Sequence, residues 1–548
     1  MSLRSDSIDW AIKFVNNHSD GDLFPKILEF DAINNMADEF VKLVEGKDLS
    51  EFPPGSCRRF IVPKDEIAYR QATQLDPQDS IILTALIYQY GQGIEDRRLP
   101  NTKVFSYRFK PDATLGLYSS QTAWNDFWQS AYNEIWKFNT ILYCDIADFY
   151  NQIYHHTVEN QLLESEFPNQ AIKWIIRLLE STTAGVSRGV PVGPHAIHLI
   201  AESSMIPIDN SLSSIGIKFM RFVDDMLIFC DSSNSAQDAL HYIASTLDKQ
   251  QRLMLQRHKT KFYNPYDFSD LCLKMIEDRP ISLAEDRVLN IVKKYSCGDP
   301  YSRVSYSSIS TEDWKAISGD IISGIIQEYI GKKAFTIPNP KQIIELFDVH
   351  LIWNLIWKKV RSVFNLGEHE VDYIRLRWFY RRLTQIGHPG AVDISLENIA
   401  ELAPCFSNIC AYLSSVQTIE QEQWVQIGEK LLNLLESPQV QGNEYFRLLI
   451  LSLFTKNQHI NHFAKLAKQY TSSEPFARRE ILLSAKQNEA FDWLREYKEN
   501  YQTMDRWQQI AYIYSCSGFP KDEKKYFLNR LKLSRPFEIV LQKWAKKV

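Results

Sequence analysis

The most constraining feature of the chain is a pair of adjacent carboxylates inside the apolar stretch Arg221-Phe222-Val223-Asp224-Asp225-Met226-Leu227-Ile228-Phe229-Cys230. Apolar and β-branched residues on both sides of a short polar pair are typical of a β-hairpin, so we predict one with the Asp pair at its tip. Neighbouring carboxylates raise each other's pKa and resist ionisation. A divalent cation removes that cost, because hard cations such as magnesium prefer carboxylate oxygens. A solvated Asp-Asp turn is the alternative that this stretch alone leaves open.

Length and composition predict an ordinary soluble protein of two or three domains, since the chain has 548 residues. It contains no run of eighteen apolar residues and no apolar N-terminal signal, so we expect neither a membrane span nor secretion. The eight cysteines are scattered without a C-x-x-C pair, which favours reduced structural thiols over disulfides or a zinc site. The net charge of −5 predicts that any contact with nucleic acid comes from local patches or through metal.

A third carboxylate lies at the end of a second predicted strand, which runs from Thr140 to Ile146 and carries Asp145. Asp148 follows closely and would serve as the turn former, so a turn role for Asp145 is less well supported. Phosphoryl transfer with two metal ions needs carboxylates from two adjacent strands, which hold the cations about 3.5–4 Å apart. A strand-end Asp beside a hairpin Asp pair therefore predicts a metal site.

Two other segments have more than one interpretation. A loop of glycines and prolines from Arg188 to Pro194 opens a helix, where the backbone can approach a ligand closely, although such a loop is common elsewhere. The second segment carries four cationic side chains, at Arg58, Arg59, Lys64 and Arg70. They form either an ordinary charged surface or a binding site for a polyphosphate.

Aromatic residues at 122–138 recur at helical spacing, as Trp124, Phe127 and Trp128, and we predict that they belong to a core rather than to a base-stacking platform. From about residue 310 the strand patterns end and helix-length segments follow, one of them at 340–363. Stacked helix pairs are the interpretation, although no strict repeat period is visible.

Taken together, these segments resemble the palm motifs of reverse transcriptases over about residues 55–265. Cys144 to Tyr150 resembles the first catalytic motif, Gly189 to Pro194 the second, Phe222 to Asp225 the third, and Leu253 to Thr260 the fourth. The resemblance implies an α/β (α+β) fingers–palm domain and a nucleotidyltransferase that uses deoxynucleoside triphosphates.

The resemblance also assigns roles to single residues. It implies metal ligation by Asp145, Ile146, Asp224 and Asp225. It places Lys259 near the departing phosphates as a general acid, and Tyr150 where an aromatic ring blocks a ribose 2′-hydroxyl. The implied nucleotide-binding residues are Lys64, Arg70, Ile146, Tyr150, Val192 and Gly193.

Two positions depart from the common pattern. Val192 replaces the Gln of a Pro-Gln-Gly motif, and Phe222 stands where many relatives carry Tyr. The form Gly-Val-Pro-Val-Gly-Pro, a later Leu-Ile-Ala-Glu and a helical C-terminal half resemble the bacterial abortive-infection and defence-associated reverse transcriptases of the AbiK type. We therefore expect a fingers–palm domain at 1–310 and an all-α, HEAT-like helical-repeat domain at 311–548.

Membership of that group implies antiphage defence in the bacterial cytoplasm by a homo-oligomer, trimeric or hexameric. It implies Mg²⁺ or Mn²⁺ as cofactor and untemplated, protein-primed synthesis of single-stranded DNA that stays attached to the protein. The first tyrosine is Tyr69, so no N-terminal tyrosine primer is expected. The Tyr/Ser-rich stretch with Tyr295, Tyr301 and Tyr306 offers candidates, although an ordinary linker is the favoured interpretation for each of these tyrosines, and an N-terminal serine stays open.

Three alternatives remain at this point. The chain could be an RNA-templated reverse transcriptase, or a palm-like scaffold whose helical part binds a phage or host protein. A palm-fold nucleotide cyclase is the third, but it needs neither the Gly/Pro loop nor the fingers cations. The sequence does not determine the template, the preferred nucleotide, the primer, the phage trigger, the oligomer number or the need for an associated RNA.

Overall fold

The computed structural model describes residues 2–18, 23–65, 68–112, 116–119, 122–276, 282–296, 304–331, 371–417, 420–456 and 462–548. Tyr301 and the helix predicted at 340–363 lie outside the described residues. Contacts divide the chain into two units. Unit 1 comprises Met1–Ile61, Gln71–Ile276 and Ala467–Val548, and unit 2 comprises Val62–Arg70 and Glu277–Leu466.

The described strands form two sheets. They are β1 (Arg58–Pro63), β2 (Tyr69–Gln74), β3 (Thr140–Asp145), β4 (Phe219–Phe222), β5 (Asp225–Cys230) and β6 (Lys261–Tyr263). β1 and β2 form a two-stranded sheet, while the other four are ordered β4-β5-β3-β6 with antiparallel neighbours. The predicted hairpin is therefore confirmed: β4 and β5 pair from Phe222 opposite Asp225, and Val223 and Asp224 form the loop.

One face of the four-stranded sheet covers an aromatic core. Phe127 and Trp128 are fully buried beside Ile141, Leu227 and Phe268. Trp124 packs against the same cluster, so the prediction that the 122–138 stripe is core is confirmed. This packing holds the central strands β3 and β5 rigidly side by side, because close-packed interiors resist displacement.

Helices surround this sheet in unit 1. The helices, with the 3₁₀ turns included, are Ser5–Asn17, Glu29–Asn34, Ala37–Val44, Leu49–Glu51, Pro77–Tyr90, Gln92–Glu95, Ala123–Glu134, Ile135–Lys137, Phe149–Gln152, His155–Glu164, Asn169–Thr182, Ile197–Ser214, Ser233–Gln251, Pro265–Met275, Pro475–Gln487, Phe491–Glu496, Tyr501–Thr503, Arg506–Ser515, Cys516–Gly518, Lys521–Asn529 and Pro536–Lys547. The helices between residues 475 and 547 pack on the N-terminal part of unit 1 through buried charges. The Arg479 guanidinium donates to both carboxylate oxygens of Glu29 at 2.9 and 2.7 Å, and Arg506 pairs with buried Asp76.

Within its described residues, unit 2 contains helices and the tip of the β1–β2 hairpin, and no other strand. Its helices are Leu283–Ser296, Tyr306–Ser308, Thr311–Ala316, Gly319–Ile330, Tyr373–Ile386, Pro389–Ala391, Val392–Glu397, Ala403–Cys405, Phe406–Leu413, Gln421–Glu436, Pro438–Gln441 and Glu444–Lys456, and Phe463–Gln469 spans its boundary with unit 1. Arg377 donates to the backbone oxygen of Lys64 at 2.6 Å, which attaches the hairpin tip to these helices.

The predicted helical character of the C-terminal half is confirmed, because no strand occurs in the described ranges beyond Tyr263. The contacts place residues 467–548 with the N-terminal segments, whereas the domain boundary at 310 remains a prediction about domain organisation. In the parts of the chain that the structure covers, the cysteines are all free thiols. No helix there combines the length and apolar character that a membrane crossing requires.

Candidate active site

The ends of β3 and β5 bring carboxylates together. Asp145, the last residue of β3, lies directly opposite Asp225, the first residue of β5. Asp224 occupies the adjoining loop, and its backbone oxygen accepts a hydrogen bond from the Ile146 amide at 3.2 Å. Residues that are 79 and 80 positions apart in the chain are thus neighbours, because the two strands pair antiparallel in this register.

The loop between β4 and β5 has a strained backbone. Val223 has a φ of 55°, in the left-handed region that a β-branched residue rarely adopts. Such a conformation costs roughly 1–2 kcal/mol. The Val223 amide donates to the Ser106 hydroxyl at 3.0 Å, and its carbonyl accepts from the Arg221 guanidinium at 2.8 Å. These two bonds hold Asp224 and Asp225 at the edge of the sheet.

A buried ion network lies behind this loop. The Arg221 guanidinium, fully buried, donates to both carboxylate oxygens of Asp209 at 2.8 and 2.6 Å and to those of Glu202 at 3.2 and 2.9 Å. Arg98 donates to Glu202 at 2.7 Å, and the Ser106 hydroxyl does so at the same distance. Burial opposes ionisation of Glu202, but Arg221 and Arg98 hold its pKa below the usual value. Charges that lose their hydration must be paired in this way.

Sequence reasoning did not identify this network. Glu202 interrupts the apolar run Leu199-Ile200-Ala201 on a helix, and Arg221 interrupts an apolar strand one residue before Phe222. A charged residue at an otherwise buried position signals a buried partner. The sequence therefore indicated that Glu202 and Arg221 would be buried with partners, but it did not indicate which residues those partners are.

Charges at the strand ends perturb one another. Burial and the neighbouring Asp224 raise the pKa of Asp225 to about 7. The Tyr143 hydroxyl donates to Asp225 at 2.6 Å, while the Lys259 ammonium pairs with Asp145. Burial lowers the pKa of Lys259, but the hydrogen bond and charge of Asp145 raise it more, so that Lys259 stays protonated. The site is an acidic cluster in which Lys259 and the Tyr143 phenol offset part of the repulsion between the carboxylates.

These residues fit a divalent metal. Asp225 resists ionisation next to Asp224, and a cation between the strand ends would remove that cost. The side chain of Ile146 is apolar and buried, so this residue could coordinate only through its backbone oxygen. In the described ranges, no three His, Cys, Asp or Glu side chains already converge as a ligand set, and Lys259 occupies Asp145.

The predicted nucleotide-binding residues fall in both units. In unit 1, Gly193 has a φ of 139°, and a Cβ there would lie 2.6 Å from the Thr73 carbonyl, so only glycine fits. The Val192 carbonyl accepts from the Thr73 amide at 2.8 Å, which fastens the Gly/Pro loop to β2. Lys64 and Arg70 belong to unit 2, where Lys64 is exposed and Arg70 half-buried, and their role stays a prediction.

Tyr150 lies in the short helix Phe149–Gln152 just after β3, and its half-buried ring reaches His198. Burial is the main cause that raises the pKa of Tyr150, and the charges of Glu202 and Asp224 contribute less.

The tyrosines considered for priming belong to unit 2. The Tyr295 hydroxyl donates to Asp313 at 2.6 Å and accepts from the Ser310 amide at 3.0 Å. Tyr306 is 43% exposed and begins a 3₁₀ turn.

Comparison with known protein families finds one family model that matches part of the chain. Residues 72–293 match the model of the family described as reverse transcriptase (RNA-dependent DNA polymerase). No curated protein matches the sequence.

The solved structures that match the chain include two telomerases. Telomerase from Candida albicans, in complex with a fragment of telomeric RNA, is 12% identical with a TM-score of 0.29, covering 72% of this chain and 70% of its own. Apo telomerase from Candida tropicalis is 10% identical with a TM-score of 0.30, and the match covers 76% of this chain and 73% of the telomerase chain.

The family match over residues 72–293 includes both strands that carry the carboxylates. The chain therefore contains a reverse-transcriptase domain, which is the domain of a nucleotidyltransferase.

Proposed function

We propose that this protein is a metal-dependent DNA polymerase of the reverse-transcriptase type that acts in antiphage abortive-infection defence. The observation that carries the polymerase proposal is the register of β3 and β5, which sets Asp145 opposite Asp225 with Asp224 beside them. The defence proposal rests on the resemblance of the Gly/Pro loop and of the helical C-terminal half. In this proposal the helices from residue 311 onward form a HEAT-like repeat domain.

Asp145, Asp224, Asp225 and the backbone oxygen of Ile146 would hold Mg²⁺ or Mn²⁺. When bound there, a metal pair would supply activation of an attacking hydroxyl and stabilisation of the leaving pyrophosphate. Lys259, whose ammonium lies beside Asp145 in this structure, would donate a proton to the departing phosphate as general acid.

The nucleotide binds between the acidic cluster and the Gly/Pro loop. Its sugar packs on the Tyr150 ring, where a 2′-hydroxyl would collide with the aromatic edge. Val192 and Gly193 belong to this loop, and the resemblance to reverse transcriptases assigns triphosphate binding to Lys64 and Arg70. Val192 cannot donate or accept a side-chain hydrogen bond near a templating base, which supports synthesis without a template.

We extend the proposal to a protein primer and a homo-oligomer. Tyr306 is exposed, whereas the Tyr295 hydroxyl is already engaged by Asp313, so Tyr306 is the better primer of these two. Tyr301 lies outside the described residues and remains a candidate from the sequence.

The test of polymerase activity compares two Asp→Ala variants. Purified protein is incubated with Mg²⁺ or Mn²⁺ and labelled deoxynucleotides, with and without an RNA template. Asp224→Ala should abolish incorporation, while Asp231→Ala, an exposed position at the far end of β5, should leave it unchanged. Full activity of Asp224→Ala would refute the assignment of the site. Product only with the RNA template would establish templated synthesis instead.

The defence and priming proposals need separate tests. Bacteria expressing the wild type should survive phage challenge better than bacteria expressing Asp224→Ala, and equal survival would refute a catalytic role in defence. Product that shortens on a denaturing gel after protease treatment would show covalent attachment, and mass spectrometry would then identify the primer. Light scattering of the purified protein distinguishes a monomer from a trimer or hexamer.

A further inference from the structure

The hydroxyl of Tyr150 is held by a histidine that no motif identified. Tyr150 Oη and His198 Nδ1 lie 2.8 Å apart, and His198 belongs to the helix Ile197–Ser214 that follows the Gly/Pro loop. Burial, with the nearby His195, lowers the pKa of His198 to about 3, so the imidazole is neutral at physiological pH. A neutral imidazole has one donor and one acceptor nitrogen, which allows it to pair with a phenol hydroxyl.

The imidazole is itself fixed by a second tyrosine. The Tyr107 ring stacks on His198 with a centroid distance of 4.0 Å and an interplanar angle of 3°. Tyr107 has a φ of 44°, and its carbonyl accepts from Arg98 at 2.9 Å. Arg98 belongs to the buried ion network behind the hairpin. The orientation of His198 thus depends on the same network that supports Val223.

The backbone of Tyr150 is held as well. Its carbonyl accepts a hydrogen bond from the Val190 amide at 2.8 Å, which joins it to the Gly/Pro loop. The row of aromatic rings continues from His198 through Tyr107 to Phe222, since the ring centroids of Tyr107 and Phe222 are 6.3 Å apart. Phe222 directly precedes the Val223-Asp224-Asp225 segment. One connected set of contacts therefore runs from the acidic cluster to the Tyr150 ring.

We propose that His198 is a specificity-determining positioning residue: clamped by Tyr107, it fixes the Tyr150 ring and so sets the discrimination between deoxyribonucleotides and ribonucleotides. This inference rests on the proposed function, in which the nucleotide sugar packs on Tyr150. An aromatic ring excludes a single hydroxyl only if it cannot swing aside. The hydrogen bond to His198 supplies that restraint, because a ring fixed at both its backbone and its hydroxyl cannot rotate away.

The experiment measures kcat/KM for dATP and for ATP, and their ratio, in four single variants and in the double variant His198→Phe/Tyr150→Phe. His198→Phe keeps an aromatic ring for Tyr107 to stack on but cannot bond to Tyr150, whereas His198→Gln keeps a donor and an acceptor. Tyr150→Phe removes the hydroxyl alone. His156→Phe is the matched control, since its side chain is 81% exposed.

Loss of one orienting hydrogen bond should lower the dATP/ATP ratio about tenfold in His198→Phe. Tyr150→Phe should lower it by a similar factor, and the double variant by no more than either one, because both changes remove the same bond. His198→Gln should retain most of the ratio, and His156→Phe all of it. Thermal unfolding of each variant, measured in parallel, separates lost selectivity from lost structure.

An unchanged ratio in well-folded His198→Phe, or additive losses in the double variant, would overturn the inference while leaving the polymerase proposal intact. Binding offers a readout without turnover: titration with dATP and ATP in the presence of Ca²⁺ should show the same loss of preference in His198→Phe. A wild type that neither incorporates nor binds either nucleotide would instead refute the proposed function, and the inference with it.

Discussion

The buried arginine of the hairpin provides the sharpest prediction about stability. Arg221 donates two hydrogen bonds to Asp209, two to Glu202 and one to the Val223 carbonyl. Arg221→Leu would leave two buried carboxylates with much of their compensating charge removed. Breaking a buried ion pair from one side costs about 3–5 kcal/mol. We therefore expect the variant to lose about 4 kcal/mol of unfolding free energy.

The assay is urea denaturation followed by tryptophan fluorescence, with Arg252→Leu as the matched control. Arg252 pairs with Asp248 at 3.4 Å, and both side chains are more than half exposed. Exposed pairs contribute about 0–1 kcal/mol, so this control should unfold close to wild type.

A third variant separates charge from geometry. Arg221→Lys keeps the positive charge but cannot present the planar fork that bonds both carboxylates, and should lie between the other two. Equal unfolding free energies for Arg221→Leu and Arg252→Leu, within about 1 kcal/mol, would show that the network does not stabilise the hairpin, and the reasoning would be wrong.

Three further predictions concern the site and its surroundings. Because burial lowers the pKa of His198 to about 3 from 6.5, the folded state resists protonation that the unfolded state accepts. The unfolding free energy of wild type relative to His198→Phe should be constant above pH ~6.5 and fall by up to about 1.4 kcal/mol per pH unit below it, as urea denaturation at several pH values would show. Gly193→Ala should be strongly impaired in incorporation, since its Cβ would meet the Thr73 carbonyl at 2.6 Å, whereas Gly442→Ala, whose nearest contact is 3.9 Å away, should behave as wild type in the same assay. Lys259→Met should lower kcat about 10²–10⁴-fold with little change in KM if the lysine acts as general acid, and an unaltered kcat in rapid-quench measurements would exclude that role.

The sequence alone was sufficient to predict the strands of the site. Apolar and β-branched residues around Asp145 and around Asp224 and Asp225 specify strands locally, because alternating burial and β-propensity act within a few residues. The order and spacing of these segments were also enough to indicate a reverse-transcriptase domain, which the match over residues 72–293 supports. The aromatic stripe at Phe127 and Trp128 was correctly predicted as core for the same local reason.

Only the tertiary structure determined which distant residues support the site. The carboxylate partners of Arg221, the stacking of Tyr107 on His198 and the pairing of Arg479 with Glu29 join positions that are 12 to 450 residues apart. A local pattern shows that a charge or ring will be buried, but it carries no information about its partner. That choice depends on how strands and helices pack, because the cost of burying a charge is offset only by the group that the fold brings next to it.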